Sequence, residues 1–119
     1  MKNIEITFSM ISLDSDSRFT TVGEIKGNRI IFNDNENNRH YIIMNKDSVE
    51  YYKRGSMSMK YVFSLKHNTK GTYEVDNNTF KFVIKTCTMK IKDDEIMIEY
   101  DLLLDDELIN HSTLVIKYS

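Results

Sequence analysis

The sequence has no proline, four glycines and a single cysteine, Cys87, among its 119 residues. Flexible linkers are usually rich in proline or glycine, so their scarcity leaves no boundary within the chain. We therefore expect one domain over residues 1–119. A single cysteine cannot form an internal disulfide, which favours a reducing compartment and predicts a cytoplasmic location.

The sequence also lacks any long apolar run. Its first residues, MKNIEITFSM, alternate apolar and polar residues, whereas a signal peptide needs an unbroken apolar segment. No stretch approaches the roughly 20 consecutive apolar residues of a membrane-spanning helix. We therefore expect neither a signal peptide nor a membrane partner.

Charge of neither sign dominates the chain as a whole. The net charge is −2 and the pI is near 5.9, whereas dedicated nucleic-acid-binding proteins are usually basic, so nucleic acid is not an expected partner. The charges are nevertheless uneven, because residues 53–92 hold nine basic and two acidic residues while residues 93–107 hold eight acidic residues and no basic one. Lysines on the outer faces of strands commonly protect a sheet against aggregation. The basic residues of this stretch also lack interleaved exposed aromatic residues. We interpret the basic stretch as solvated surface.

What the sequence does have is an alternation of apolar and polar residues, the pattern of half-buried β-strands. Three segments show it most clearly: Ile4, Ile6, Phe8 and Met10; Met57, Met59, Tyr61, Phe63, Leu65 and His67; and Ile96, Ile98, Tyr100, Leu102 and Leu104. A helix would spread the charges of these segments around every face. We predict about ten strands and no helix longer than about two turns.

Short polar turns separate the predicted strands. We predict a type II′ turn at Gly27-Asn28, a type I′ turn at Asn77-Asn78, hairpin turns at Asp93-Asp94 and Asp105–Glu107, and a solvated loop over residues 33–39. Strands joined in sequence order by short turns favour an all-β, antiparallel up-and-down barrel of about 8–10 strands, because closure leaves no unpaired edge. A β-sandwich is the alternative, because strand patterns alone do not distinguish the two.

Several segments resemble the YwiB-like family of small bacterial proteins. They are EYYKRGSMSMKYVFS, GTYEV, FKFVIKTCTMKI and IMIEYDLLL, and the resemblance is best at Arg54, Gly55, Met57, Met59, Phe63, Tyr73, Thr86, Tyr100 and Leu102. The resemblance implies a bacterial protein with a lipocalin-like (calycin) β-barrel and brings no assigned activity or catalytic residue. The chain departs from the family at residues 76–79, Asp-Asn-Asn-Thr, where a glycine-containing turn is usual.

The last three predicted strands would bring several polar residues together. Their turns imply these cross-strand pairs: Ile91 with Ile96, Met89 with Ile98, Cys87 with Tyr100, Leu104 with Leu108, Leu102 with Asn110, Tyr100 with Ser112, and Ile98 with Leu114. Cys87, Tyr100, Asn110 and Ser112 would then share one inward patch. Apolar residues switch from even to odd positions along residues 80–91, so we also predict a β-bulge near Lys85-Thr86.

This patch is the candidate site. We predict a small ligand cavity lined by Tyr100, Ser112, Asn110, Cys87, Met57, Met59 and Tyr61, since ligand sites combine an apolar wall with a few hydrogen-bonding groups. In the alternative, these polar groups satisfy one another inside a packed barrel.

Signatures of catalysis are weak throughout the sequence, so an enzyme is the third-ranked interpretation. His40, His67 and His111 lie on separate predicted strands or strand ends without metal-ligand spacing, and no histidine is predicted on the face of Cys87. We expect no catalytic residue, no metal and no cofactor. The leading function is binding of a small, partly apolar ligand; the alternative is an interaction module that docks a protein or RNA through its charged surface. A protein partner or a homo-oligomer is compatible with either.

Overall fold

The computed structural model describes residues 2–119, which form ten β-strands and no helix. The strands are β1 (Lys2–Ser12), β2 (Asp16–Lys26), β3 (Arg29–Asn33), β4 (Arg39–Met44), β5 (Val49–Arg54), β6 (Ser58–Phe63), β7 (Thr69–Val75), β8 (Asn78–Ile91), β9 (Glu95–Leu104) and β10 (Glu107–Tyr118). Within the described range, no helix has the length and apolarity that a membrane crossing requires.

The strands close into a barrel. Each strand pairs antiparallel with its neighbours in sequence, and β1 also pairs with β10. This arrangement confirms the predicted up-and-down barrel and excludes the sandwich. Connections alternate between the two ends, so the β1–β2, β3–β4, β5–β6, β7–β8 and β9–β10 connections lie together at one end, which we call the mouth.

Three tight turns show how closely local chemistry specifies the hairpins. Gly27-Asn28 joins β2 to β3 with a positive φ of 58° at Gly27 alone, as a type II′ turn requires. The β7–β8 turn uses Asp76-Asn77, with φ of 50° and 66°, so the prediction of Asn77-Asn78 was one residue late. The β9–β10 turn likewise uses two residues, Asp105-Asp106, and not three. Asp adopts the left-handed backbone conformation nearly as readily as Asn does. Both turns can therefore begin at an Asp residue, which the predicted turn positions did not take into account.

The predicted pairing of β9 with β10 is correct away from the turn. The confirmed pairs are Leu102 with Asn110, Tyr100 with Ser112, and Ile98 with Leu114. Next to the turn, however, Leu104 pairs with Glu107 rather than with Leu108. A bulge between Leu108 and Asn110 adds one residue to β10 and restores the predicted register further along the strand.

The predicted bulge in β8 is present, with one consequence that the sequence prediction missed. Ile91 pairs with Ile96 and Met89 with Ile98 as predicted, but Thr86, not Cys87, pairs with Tyr100. The register shifts between Thr86 and Thr88, so Cys87 is the inserted residue, and it is exposed. The prediction that Cys87 lines the interior was therefore wrong. The phase change falls at Cys87 itself, and Thr86 takes the position opposite Tyr100.

Side chains fill the middle of the barrel. Ten of them have no exposed surface: Ile6, Ile30, Ile42, Val49, Phe63, Ile84, Ile96, Ile98, Leu114 and Ile116. Two residues of the predicted inward face, Leu65 and Leu104, are instead 54% and 43% exposed because they lie beyond or at the ends of β6 and β9. The packed middle leaves the mouth as the place where an interior site can open.

Candidate functional site at the barrel mouth

A cavity of about 170 Å³ opens at the mouth. Its wall combines aromatic rings, methionines and polar groups: Phe8, Met10, Ser17, Phe19, Asp34, Asn35, Glu36, His40, Tyr51, Lys53 and Met59. These residues belong to β1, β2, the β3–β4 loop, β4, β5 and β6. The cavity is thus built from the first half of the chain and not from the three last strands.

The β3–β4 loop is organised around Asp34. Asp34 Oδ1 accepts hydrogen bonds from the backbone N–H groups of Glu36 at 2.8 Å and Asn38 at 3.0 Å. Asp34 Oδ2 accepts from Asn38 Nδ2 at 3.2 Å and lies 2.9 Å from His40 Nε2. The segment predicted as a solvated loop is therefore a structured turn that holds a carboxylate against the barrel interior.

The neighbouring β5–β6 turn packs against this loop through Gly55. Asn38 is 2% exposed, and its Oδ1 has no hydrogen-bonding partner within the part of the chain that the structure describes. A Cβ atom at Gly55 would lie 1.9 Å from this oxygen. Any larger residue at position 55 would displace Asn38 and, through it, Asp34.

His40 connects Asp34 to Tyr51 across the wall of the cavity. The ring is 1% exposed and stacks on Phe32 with 4.7 Å between centroids, and its Nδ1 lies 2.7 Å from the Tyr51 hydroxyl oxygen. An ionised Asp34 can only accept, so Nε2 carries the hydrogen and donates to Asp34, while the Tyr51 hydroxyl donates to Nδ1. The contacts therefore hold a neutral imidazole in one tautomer.

Burial and hydrogen bonding set the protonation states of this chain of groups. Burial lowers the pKa of His40, and the hydrogen bond and charge of Asp34 oppose that shift. Burial works against an ionised Asp34, but hydrogen bonds from His40, Asn38 and Glu36 prevail and lower its pKa to about 2. Burial raises the pKa of Tyr51 well above its ordinary range. At neutral pH, Asp34 is therefore ionised, and His40 and Tyr51 are neutral.

Two predicted site residues, Tyr100 and Ser112, lie beside this cavity. Tyr100 is 2% exposed and Ser112 4% exposed, and the Tyr100 hydroxyl donates to Met10 Sδ at 3.5 Å. Burial raises the pKa of Tyr100, which Tyr61 reinforces and the Ser112 hydroxyl partly offsets. Because Met10 lines the cavity, Tyr100 supports the cavity wall from behind without lining it.

Asn110, also predicted in the patch, has a different set of partners. Its Oδ1 accepts from the backbone N–H groups of Leu13 at 3.2 Å and His111 at 2.9 Å, and its Nδ2 donates to Asp14 Oδ1 at 3.4 Å. Asn110 therefore ties the β1–β2 turn to β10. Its hydrogen bonds are made at the rim of the mouth and do not involve Tyr100.

The remaining predicted residues are divided between the cavity and its surroundings. Met59 lines the cavity. Tyr61 is 6% exposed and meets Tyr100 edge to face, with 6.2 Å between ring centroids. Met57 precedes β6, is half-buried and does not line the cavity. The structure thus brings Met59 to the cavity, places Tyr61, Tyr100 and Ser112 in the layer beside it, and leaves Cys87 outside.

Asp34, His40 and Tyr51 were not among the predicted site residues. A signal for His40 existed in HYIIM, where alternation places His40 on the same face as Ile42. Asp34 gave no such signal, because it lies in a loop without periodicity. Its contact with His40 depends on how the loop folds back over the mouth.

A second histidine cluster lies on the outer surface of β9 and β10. His111 Nδ1 is 2.5 Å from Asp101 Oδ1, and its Nε2 is 3.0 Å from Glu99 Oε2. The hydrogen bond to Asp101, followed by that to Glu99, raises the pKa of His111. Cys87 Sγ lies 3.8 Å from Asp101 Oδ2. Even so, no group of three or more His, Cys, Asp or Glu side chains among residues 2–119 has an arrangement suited to a metal.

The sequence matches the model of a protein family, and the fold matches a solved structure. The sequence model of the family described as "Domain of unknown function (DUF1934)" matches residues 4–116. The chain belongs to this family. The crystal structure of the ywiB protein from Bacillus subtilis aligns with a TM-score of 0.75 at 15% sequence identity, over 98% of this chain and 90% of that chain. This likeness shows a shared barrel fold and, with the family match, confirms the predicted resemblance. No curated protein matches the chain.

Proposed function

We propose that this barrel binds a small, partly apolar ligand in the cavity at its mouth. The observation that carries the proposal is the composition of the cavity wall. Apolar surfaces of Phe8, Phe19 and Met59 stand beside the preorganised His40–Tyr51 pair and the ammonium group of Lys53. An apolar wall with a few oriented polar groups is the usual make-up of a ligand site.

The volume limits the size of the ligand. A protein cavity of about 150 Å³ is large enough to hold benzene, so the 170 Å³ at this mouth accommodates a single ring or a short aliphatic chain. Larger cofactors would need the packed barrel interior, which Ile6, Ile30 and Ile42 fill. The proposal is therefore restricted to a ligand of about one ring.

The polar groups define the complementary chemistry. The hydrogen of the Tyr51 hydroxyl is used by His40, so its oxygen is left with a lone pair for a donor on the ligand. Lys53, half-buried at the rim, supplies a positive charge for a carboxylate or phenolate. A hydroxyl group on the ring satisfies the first requirement, and a carboxylate satisfies the second.

The test uses benzoate and benzyl alcohol as probes, with binding followed by ¹H–¹⁵N NMR shifts. We expect saturable shifts centred on the cavity residues for both probes. Lys53→Met should weaken benzoate at least several-fold and leave benzyl alcohol nearly unchanged. Native mass spectrometry of protein purified from its source, run in parallel, should show a retained small mass.

A blocking variant provides the matched control. Ser17→Phe adds a ring at the exposed rim of the cavity, and Thr20→Phe adds the same ring at an exposed position of β2 that does not line it. Ser17→Phe should abolish binding and Thr20→Phe should not. If neither probe binds saturably and no mass is retained, or if both variants behave alike, the proposal is wrong.

A further inference from the structure

The outer face of β3, β4, β5 and β6 carries an ordered set of basic and aromatic side chains. The barrel register places Tyr41 directly opposite Tyr52 and Arg39 directly opposite Arg54. Lys60 stands opposite Tyr52 on the next strand. These residues alternate with the buried His40, Ile42 and Tyr51, so they point away from the interior. We call this surface, with Arg29, the arginine–tyrosine face.

The pairing of Arg39 with Arg54 is unfavourable in the isolated protein. Like charges directly opposite each other on neighbouring strands repel and destabilise a sheet. Two acidic groups lie alongside: Glu50, which accepts a hydrogen bond from the Tyr52 hydroxyl at 2.7 Å, and Glu74 of β7, near Lys60. They are fewer than the four cations Arg29, Arg39, Arg54 and Lys60. The face therefore presents a local excess of positive charge, although the whole chain has a net charge of −2. A bound anion would relieve this repulsion.

The tyrosine rings are placed to stack. The Arg39 guanidinium lies 5.9 Å from the Tyr41 ring centroid, and Lys60 Nζ lies 5.6 Å from the Tyr52 ring centroid. Both rings are half-buried, so each is held by its neighbours while part of its surface remains open. Rigid aromatic platforms with flanking cations are the elements that bind successive bases and phosphates of a single strand.

The face continues across the sheet as two adjoining depressions. One, of about 380 Å³, is lined by Arg29, Tyr41, Ile43, Tyr52 and Arg54. The other, of about 250 Å³, shares Tyr52 and Arg54 with the first and extends to Lys60, Thr72 and Glu74. A surface with two linked depressions fits a chain of repeating units better than a single small anion.

We propose that the arginine–tyrosine face binds single-stranded nucleic acid without strong sequence preference. Bases would stack on Tyr41 and Tyr52, and backbone phosphates would contact Arg39, Arg54 and Lys60. The sequence argued against this partner, because the net charge is −2 and no exposed aromatic residues were predicted among the basic residues of the stretch 53–92. The fold supplies exposed aromatic residues, since strand pairing places Tyr41 and Tyr52 beside Arg39, Arg54 and Lys60.

The test is fluorescence anisotropy with a labelled oligouridylate of about 12 nucleotides, a length within the range that single-strand-binding domains cover. We expect saturable binding at low salt. With three to four phosphate contacts, the affinity should fall roughly 20- to 50-fold between about 50 and 200 mM salt.

Two variants separate charge from stacking. Arg39→Ala with Arg54→Ala should weaken binding and reduce the salt effect to roughly 3- to 7-fold, because two phosphate contacts are lost. Tyr52→Leu should weaken binding roughly 5- to 160-fold through lost stacking, whereas Tyr52→Phe retains the ring and should bind normally. The matched control, Lys85→Ala with Lys90→Ala, removes the same charge from the exposed surface of β8 and should have little effect.

Several outcomes would overturn the proposal. No saturable binding at low salt excludes the site, and equal weakening by the β8 control shows attraction to any basic surface. Competition by uridine monophosphate at the same molar affinity as the oligonucleotide indicates a mononucleotide site and not a strand. Equal competition by a polyglutamate peptide indicates an acidic protein partner.

Discussion

The two histidines that contact carboxylates, His40 at the mouth and His111 on the outer surface, show how position in the barrel changes the same chemistry. His40 is 1% exposed and lies against one carboxylate and one phenol. The His111 side chain is 36% exposed and lies between two carboxylates. Burial lowers the pKa of His40, whereas hydrogen bonds to Asp101 and Glu99 raise that of His111.

The difference shows which physical effect prevails in each region. Inside the barrel, removal of water from the ring disfavours its charged form more strongly than Asp34 can favour it. Outside, water remains in contact with the ring, so the desolvation cost is smaller than the attraction of two negative charges. A histidine–carboxylate contact alone therefore does not reveal the charge of the histidine.

The largest expected difference between the two regions is in stability. His40→Ala removes a buried ring that stacks on Phe32 and leaves Asp34 and Tyr51 without their partner. We expect it to lower the free energy of unfolding by about 3–5 kcal/mol. His111→Ala breaks partly exposed ion pairs and should cost about 1 kcal/mol or less. Urea denaturation of both variants measures the contrast, and similar losses would contradict it.

A smaller difference is expected between two buried phenols. Tyr51→Phe leaves the buried Nδ1 of His40 without a donor, so we expect a loss of about 1–3 kcal/mol. Tyr100→Phe removes a hydroxyl that donates to Met10 Sδ, a weak acceptor, and should cost about 1 kcal/mol or less. The two variants delete the same atom, so each controls the other in one set of denaturation curves. A larger loss for Tyr100→Phe would show that its neighbours depend on that hydroxyl more than His40 depends on Tyr51.

The smallest expected effect is in the dependence of stability on pH. The ordinary histidine pKa is 6.5, and that of folded His40 is lower, so its contribution is present above pH 6.5 and lost as the pH falls below it. The pKa of folded His111 is higher, so its contribution is present below pH 6.5 and lost as the pH rises through the folded value.

His111→Gln removes the contribution of His111 to the pH dependence of stability. As the pH falls through the folded pKa of His111 towards 6.5, the parent protein should gain stability from this residue and the variant should not. Below pH 6.5 both proteins should lose stability in parallel, because that loss comes from His40. Because His111 is partly exposed, the gain that the variant lacks should not exceed about 1 kcal/mol. NMR titration of the two rings provides the direct measurement, and an His40 midpoint above that of His111 would reverse the comparison.

Much of the fold was predictable because short stretches of the sequence encode the strands and the turns between them. Alternation identified Ile4, Ile6 and Phe8 as inward, and short polar turns implied the meander that closes with β1 against β10. The register errors were of one residue, at Asp76-Asn77, at Asp105-Asp106 and at Cys87. A shift of one residue matters greatly in a strand, because it moves a side chain to the other face of the sheet.

By itself, the sequence determined the period of the strands, the places where the chain turns and the apolar residues that fill the barrel. The tertiary structure alone decided which polar groups meet in the cavity and on the arginine–tyrosine face. Asp34 reaches His40 because a loop folds back over the mouth, and Tyr41 meets Tyr52 beside Arg39 and Arg54 because β4 pairs with β5. Strand periodicity is set by neighbouring residues along the chain, whereas a site is assembled from several strands whose relative register depends on every turn and bulge between them.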